Sequence, residues 1–115
     1  MHPDSAKYLW DVRYAAALVE RFIAGKGFDE YASDLLVKSA VERQLEIIGE
    51  ALNALSRKDP SAAANIAELP RIVAFRNLLI HCYENVDDRL VWGVVKTKIP
   101  TLQAAVERLL TPDAD

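Results

Sequence analysis

The chain is 115 residues long, 51% hydrophobic and 27% charged, with a net charge of −3. That size and composition suit one globular domain, 1–115, with a modest core, and the acidic balance excludes a general nucleic-acid coat. No apolar run approaches the ~18 residues of a membrane span, and a single cysteine, Cys82, excludes an internal disulfide or a cysteine-built zinc site.

The start, Met-His-Pro-Asp-Ser, has no basic region leading into an apolar core, so no secretory signal is expected and the expected location is the cytoplasm. His2 falls in a segment expected to fray. The first helix is predicted from about Ser5 to Ala24. Leu9, Val12, Ala16, Val19 and Ile23 recur at steps of three and four and form one apolar stripe. Asp4 or Ser5 can cap its start, and Gly25 and Gly27 end it. Phe28 to Ser33 reads as a connector with room for a helical turn.

A second helix is predicted from about Asp34 to Arg57, roughly 35 Å long at ~1.5 Å per residue. Val37, Val41, Leu45, Ile48, Ala51 or Leu52, and Leu55 lie on one side. Gly49 in its middle costs about 1 kcal/mol relative to alanine; close approach of another helix would account for it. Asp59-Pro60 stops this helix, and Ser61 to Leu69 reads as loop with room for a short alanine-rich turn.

A third helix starts near Pro70, buries Ile72, Phe75 and Leu79, and ends near Tyr83. A fourth follows a cap at Asp87 and runs to about Leu110. Pro100 lies inside it and removes one backbone bond, so a kink or short break is expected there. Thr111-Pro112 ends it, and Asp113 to Asp115 are expected to fray. Strict strand alternation is absent. Four amphipathic helices on short loops predict an all-α, up-down four-helix bundle. Trp10, Tyr14, Tyr31 and Trp92 lie beyond the obvious stripes and are candidates for a subunit interface, where aromatics are enriched.

The third helix carries the chemistry. Arg76, Asn77, His81 and Tyr83 crowd into an otherwise apolar stretch. Such groups are costly in an apolar helix unless they are paired or line a cleft. His81 can take or give a proton near neutral pH, and Arg76 is a permanent cation suited to phosphate. Together they are a minimal kit for phosphodiester chemistry. Asn77 and His81, four residues apart, share a face. Arg76 and His81, five apart, diverge by about 140°, yet both can border one groove, including a groove between two copies of this helix.

Simpler roles stand beside these. His81 is placed to bond the last carbonyls of its helix. Arg76 has possible partners in Glu42, Glu46 and Glu50, an acidic row at four-residue spacing. Asn77 can cap or orient a neighbour, Tyr83 can bury its ring and leave its hydroxyl wet, and Cys82 is a small packing residue. The acidic row lacks the Glu-x-x-His pairs of a di-iron bundle, so a solvated face or pairing with Arg43 and Arg76 is expected and no metal is. Arg71, Arg76, Arg89, Lys96 and Lys98 could form a local positive patch, opposed by Glu84, Asp87 and Asp88. No Gly-rich phosphate loop, nucleophile elbow or zinc motif is present.

Arg76, four residues, His81, one residue, Tyr83 resembles the signature of the HEPN superfamily. With Asn77 directly after the arginine, it resembles the HepT-like ribonuclease toxin family. The segments 40–51 and 85–92, and Pro70 and Pro100, agree with that family's pattern. The resemblance implies a HEPN-like bundle that dimerises with its Arg/His cleft at the interface. It implies RNA as substrate, no cofactor, catalytic Arg76 and His81, and Asn77 binding substrate phosphate or orienting His81. It further implies a minimal nucleotidyltransferase antitoxin that attaches AMP to Tyr83. A second function stays open: a non-catalytic HEPN module that binds nucleotide or such a nucleotidyltransferase.

Overall fold

A computed structural model describes residues 1–82 and 86–111. Its helices are α1 (Ser5–Ile23), α2 (Phe28–Ser33), α3 (Leu35–Lys58), α4 (Pro60–Ala63), α5 (Leu69–His81), α6 (Asp88–Gly93) and α7 (Ile99–Leu110), with a π-helical turn, Val94–Lys98, between the last two. No strand occurs among the described residues. α3 is the central element: α1 packs along it on one side and α5 on another, and α7 returns along α1. The molecule measures 47 × 29 × 19 Å; its thinnest dimension is two helix diameters of about 10 Å each. The four long segments therefore form the expected all-α bundle.

The core is built from the predicted stripes. Leu9, Val12, Ala16 and Val19 of α1 are buried against Val41, Leu45, Ile48, Leu52 and Leu55 of α3. Ile72, Phe75 and Leu79 close the core from α5, and Leu102 and Val106 from α7. Each set repeats at three or four residues, so burying one stripe orients the whole helix. Ile23 and Val37 lie at stripe ends and are only half-buried.

Several local expectations change. The 28–33 connector is a full short helix: the Glu30 carboxylate turns back to accept the Gly27 N–H at 3.2 Å. Asp34 ends α2 and caps α3, accepting the Val37 N–H at 3.1 Å. The chain after α3 is not all loop, because Asp59 caps α4 by accepting the Ala62 N–H at 3.1 Å. Asp59 also corrects the N-terminus. Neither Asp4 nor Ser5 caps α1; the buried Ser5 hydroxyl instead donates to Asp59 at 2.6 Å, and the His2 N–H donates to the same carboxylate at 2.9 Å. The segment expected to fray is thus tied to the end of α3.

Pro100 produces a π-helical turn rather than a break. It lies in the first turn of α7, and the Ile99 N–H reaches back five residues to the Val94 carbonyl. The wider turn moves the carbonyl ladder away from the proline ring, which an α-helical register would bring against residue 96. The Thr97 hydroxyl takes up the Gly93 carbonyl at 2.6 Å. The end of the third predicted helix at Tyr83 and the fraying of 113–115 lie outside the described residues.

Candidate active site

α5 packs on α3, and Gly49 meets Arg76 where the two helices touch. A methyl group on Gly49 would lie 2.3 Å from the Arg76 Cβ and 2.7 Å from its Cγ. The missing side chain lets the aliphatic stem of Arg76 lie directly on the backbone of α3. From there the guanidinium reaches outward, and its Nη1 donates to the Asn77 Oδ1 at 3.0 Å. The Arg76 Nε is buried and has no partner among the described residues. Such an unmet donor is uncommon in folded proteins and calls for an explanation.

Ile72, Phe75 and Leu79 define the inward face of α5. By the ~100° step of the helix, Asn77 and His81 point most nearly away from it, and both are exposed. Asn77 lies in angle between Arg76 and His81, so its amide links the cation to the imidazole face. His81 is the last residue of α5, and its imidazole makes no hydrogen bond among the described residues. It does not bond the last carbonyls of its helix; the Leu78 carbonyl is taken by the Cys82 N–H. Cys82 is exposed rather than packed. Tyr83, assigned by resemblance as the modified residue, lies outside the described residues.

The acidic row does not bind Arg76. Glu46 pairs with Arg43 at 3.6 Å, and no ion pair joins Arg76 to Glu42, Glu46 or Glu50 among the described residues. Glu42 lies half-buried near Lys38, Asp88 and Tyr31. Burial raises its pKa, Lys38 opposes the rise, and Asp88 and Glu46 add to it. Lys38 is itself bound to Asp88 at 3.0 Å, tying the start of α3 to the start of α6. Among the described residues no group of three or more His, Cys, Asp or Glu is placed to hold a metal ion.

The expected positive patch divides. Lys98 pairs with Glu68 at 3.6 Å. Arg71 and Lys98 border an apolar groove of about 430 Å³ between α5 and α6, floored by Ile72 and Phe75 and walled by Leu78, Leu90 and Val94. Arg89 and Lys96 lie instead against aromatic rings on another side of α6. The interface candidates divide as well. Trp10 and Tyr14 are 55% and 68% exposed on α1, whereas Tyr31 is fully buried beneath Trp92. The sequence reading assigned Gly49 no part in the site; its place mid-helix, where glycine is unfavourable, was the signal.

The exposed imidazole of His81 and the Arg76 guanidinium held by the Asn77 amide both belong to the last two turns of α5. The family model described as Ribonuclease HepT-like matches residues 12–109. The chain belongs to that family and is a ribonuclease with an all-α HEPN-like fold. It is similar to a probable ribonuclease HepT of Thermococcus cleftensis, 37% identical over 105 residues, 89% of this chain and 92% of the relative. A candidate RNase of Methanocaldococcus jannaschii is 32% identical over 104 residues, 90% of this chain and 94% of the relative. Another, from Caldanaerobacter subterraneus, is 32% identical over 93 residues, 81% of each chain. No solved structure matches the chain.

Proposed function

We propose that this ribonuclease is the toxin of a toxin–antitoxin pair and cuts RNA internally without a metal ion. The observation that carries the reading is the Arg76–Asn77 bond on the face that presents His81. RNA brings its own nucleophile, the ribose 2′-hydroxyl beside the scissile phosphate. His81 takes the 2′-hydroxyl proton or gives one to the departing 5′-oxygen, a contribution of typically ~10²–10⁴-fold. Arg76 binds the non-bridging oxygens as charge grows on them. Asn77 fixes the guanidinium for that contact.

The groove beside α5 supports a homodimer. Leu78 and Leu90 are 40% and 45% exposed at its mouth, and a second copy seated there would cover them. His81 lies one turn beyond Leu78 on α5, so the dimer would bring the two imidazoles toward one cleft. One could then act as base and the other as acid. A minimal nucleotidyltransferase is the proposed antitoxin, transferring AMP from ATP to the Tyr83 phenol. Bulk and a negative phosphate would then sit where RNA must approach Arg76. The proposed setting is the cytoplasm, and no helix among the described residues is long and apolar enough to cross a membrane.

The ends of the cleaved RNA test the mechanism. Cleavage that persists in EDTA and leaves 2′,3′-cyclic phosphate supports it; a strict metal requirement or 3′-hydroxyl ends reject it. Light scattering at micromolar concentration should give a dimer. Intact mass after co-expression with the cognate nucleotidyltransferase should show added AMP that Tyr83→Phe removes. A neutralised but unmodified protein would reject covalent silencing.

A further inference from the structure

We infer that the face formed by α2 and α6 is a binding strip for single-stranded RNA, made by Arg89, Phe28, Trp92 and Lys96. The inference rests on the ribonuclease reading and extends it from the cleaved bond to the strand on which that bond lies. Arg89 and Trp92, three residues apart, share one side of α6, and Lys96, in the π-helical turn that follows, comes back to the Trp92 ring. The guanidinium carbon of Arg89 lies 4.7 Å from the centre of the Phe28 ring. The Lys96 Nζ lies 5.5 Å from the Trp92 ring. Phe28 and Trp92 meet edge to face at 6.3 Å. Beneath them, Tyr31 is fully buried and tilted against Trp92 at 5.3 Å, so the strip rests on the core.

This alternation of cation and ring suits an unpaired strand. Bases stack on aromatic faces and on arginine planes, while phosphates bind the cations between them. The chain as a whole carries −3, so an RNA surface must be local; of the nearby carboxylates Asp88 is neutralised by a lysine, while Asp87 and Glu30 are held by backbone N–H groups and keep their charge. Asp88 binds Lys38 at 3.0 Å, Asp87 accepts the Arg89 N–H at 2.8 Å, and Glu30 accepts the Gly27 N–H at 3.2 Å. Asp29 is left exposed on α2. Neither Arg89 nor Lys96 forms an ion pair among the described residues. The Lys38–Asp88 bond anchors the start of this helix to α3, the helix that also backs Arg76. A strand lying on the strip is thereby held at a fixed relation to the cleavage site.

The test is binding of a fully 2′-O-methylated single-stranded RNA, which lacks the nucleophile and cannot be cut. Arg89→Glu/Lys96→Glu should weaken binding at least about tenfold and flatten the salt dependence. Loss of two phosphate contacts removes a slope of about 1.4 at ~0.7 per contact. Arg57→Glu/Arg108→Glu makes the same change in net charge elsewhere and should alter affinity less than about twofold. In a Trp10→Phe background Trp92 is the sole tryptophan, and its fluorescence should be quenched saturably by the same RNA. Equal losses in the two double variants, an unchanged salt slope, or an unresponsive Trp92 would overturn the strip. Cleavage of unmodified RNA by the parent protein is measured alongside. If the parent cuts RNA but the strip variant binds normally, the strip alone fails; if the parent neither cuts nor binds RNA, the ribonuclease reading fails.

Discussion

Gly49 is the surface on which Arg76 lies. The two residues come from the packed helices α3 and α5, and a methyl group on the glycine would fall 2.3 Å from the arginine Cβ. Gly49→Ala should therefore separate α3 from α5 or swing Arg76 aside. Overpacking costs about 1–3 kcal/mol, partly offset by the ~1 kcal/mol better helix propensity of alanine. Urea denaturation should show a net loss, and RNA cleavage should fall at least about tenfold because the guanidinium moves from its place. A variant that cleaves at the parental rate would show that Arg76 does not depend on this contact.

His81→Ala should reduce cleavage by about 10²–10⁴-fold while leaving the melting temperature close to that of the parent, because the imidazole is exposed and supports no hydrogen bond among the described residues. Arg76→Lys should lose most activity as well. Lysine keeps the charge but not the planar fork that serves both Asn77 and a phosphate. Single-turnover cleavage of a labelled RNA reads both. Parental cleavage by His81→Ala would remove the imidazole from the mechanism.

Asn77→Ala leaves cation and imidazole present but frees the guanidinium. Cleavage should drop by roughly 10- to 100-fold, the scale of a misplaced catalytic group. Asn77→Asp should do worse, since a carboxylate beside Arg76 offsets the charge meant for phosphate. Activity in Asn77→Asp above that of Asn77→Ala would contradict the orienting role.

Asp59 links the N-terminus to the start of α4. The Ser5 hydroxyl, then the backbone N–H groups of His2 and Ala62, hold its carboxyl down at about 2. Its folded pKa thus lies below the ~3.9 of an unfolded aspartate. The stabilisation is fully present above that unfolded value and is lost as pH falls through the folded one. Asp59→Asn should lower the melting temperature by about 5 °C at neutral pH. The gap between variant and parent should close as the pH approaches 2. A gap independent of pH would mean that the carboxylate charge contributes nothing.

Tyr31 is buried with its hydroxyl unpaired among the described residues. Burial, with Glu42 and Asp88 nearby, pushes the phenol well above its ordinary pKa, so it stays protonated. Tyr31→Phe should raise stability by about 1 kcal/mol, because it deletes a buried polar group without deleting the ring. Chemical denaturation measures this. A loss of similar size would show that the hydroxyl has a partner in solution.

The helical periods of the sequence were enough to determine the bundle. Leu9 to Val19, Val41 to Leu55 and Ile72 to Leu79 recur at steps that only a helix gathers onto one side, and burying each stripe dictates which residues face out. The candidate residues were picked out in the same way: Arg76, Asn77 and His81 are polar groups set in an apolar helix, and the five-residue step put the cation and the imidazole on different sides. What the sequence could not decide was which neighbour each group takes. Arg76 had three glutamates of α3 as candidate partners and instead donates to Asn77, while its stem lies on the backbone at Gly49. Ser5 had the residues of a cap and instead bonds Asp59, 54 residues away. Tyr31 read as a spare aromatic and became a fully buried support for Trp92. Periodicity is local and follows from the rise of the chain, whereas these pairings depend on distances between helices, which only their packing sets.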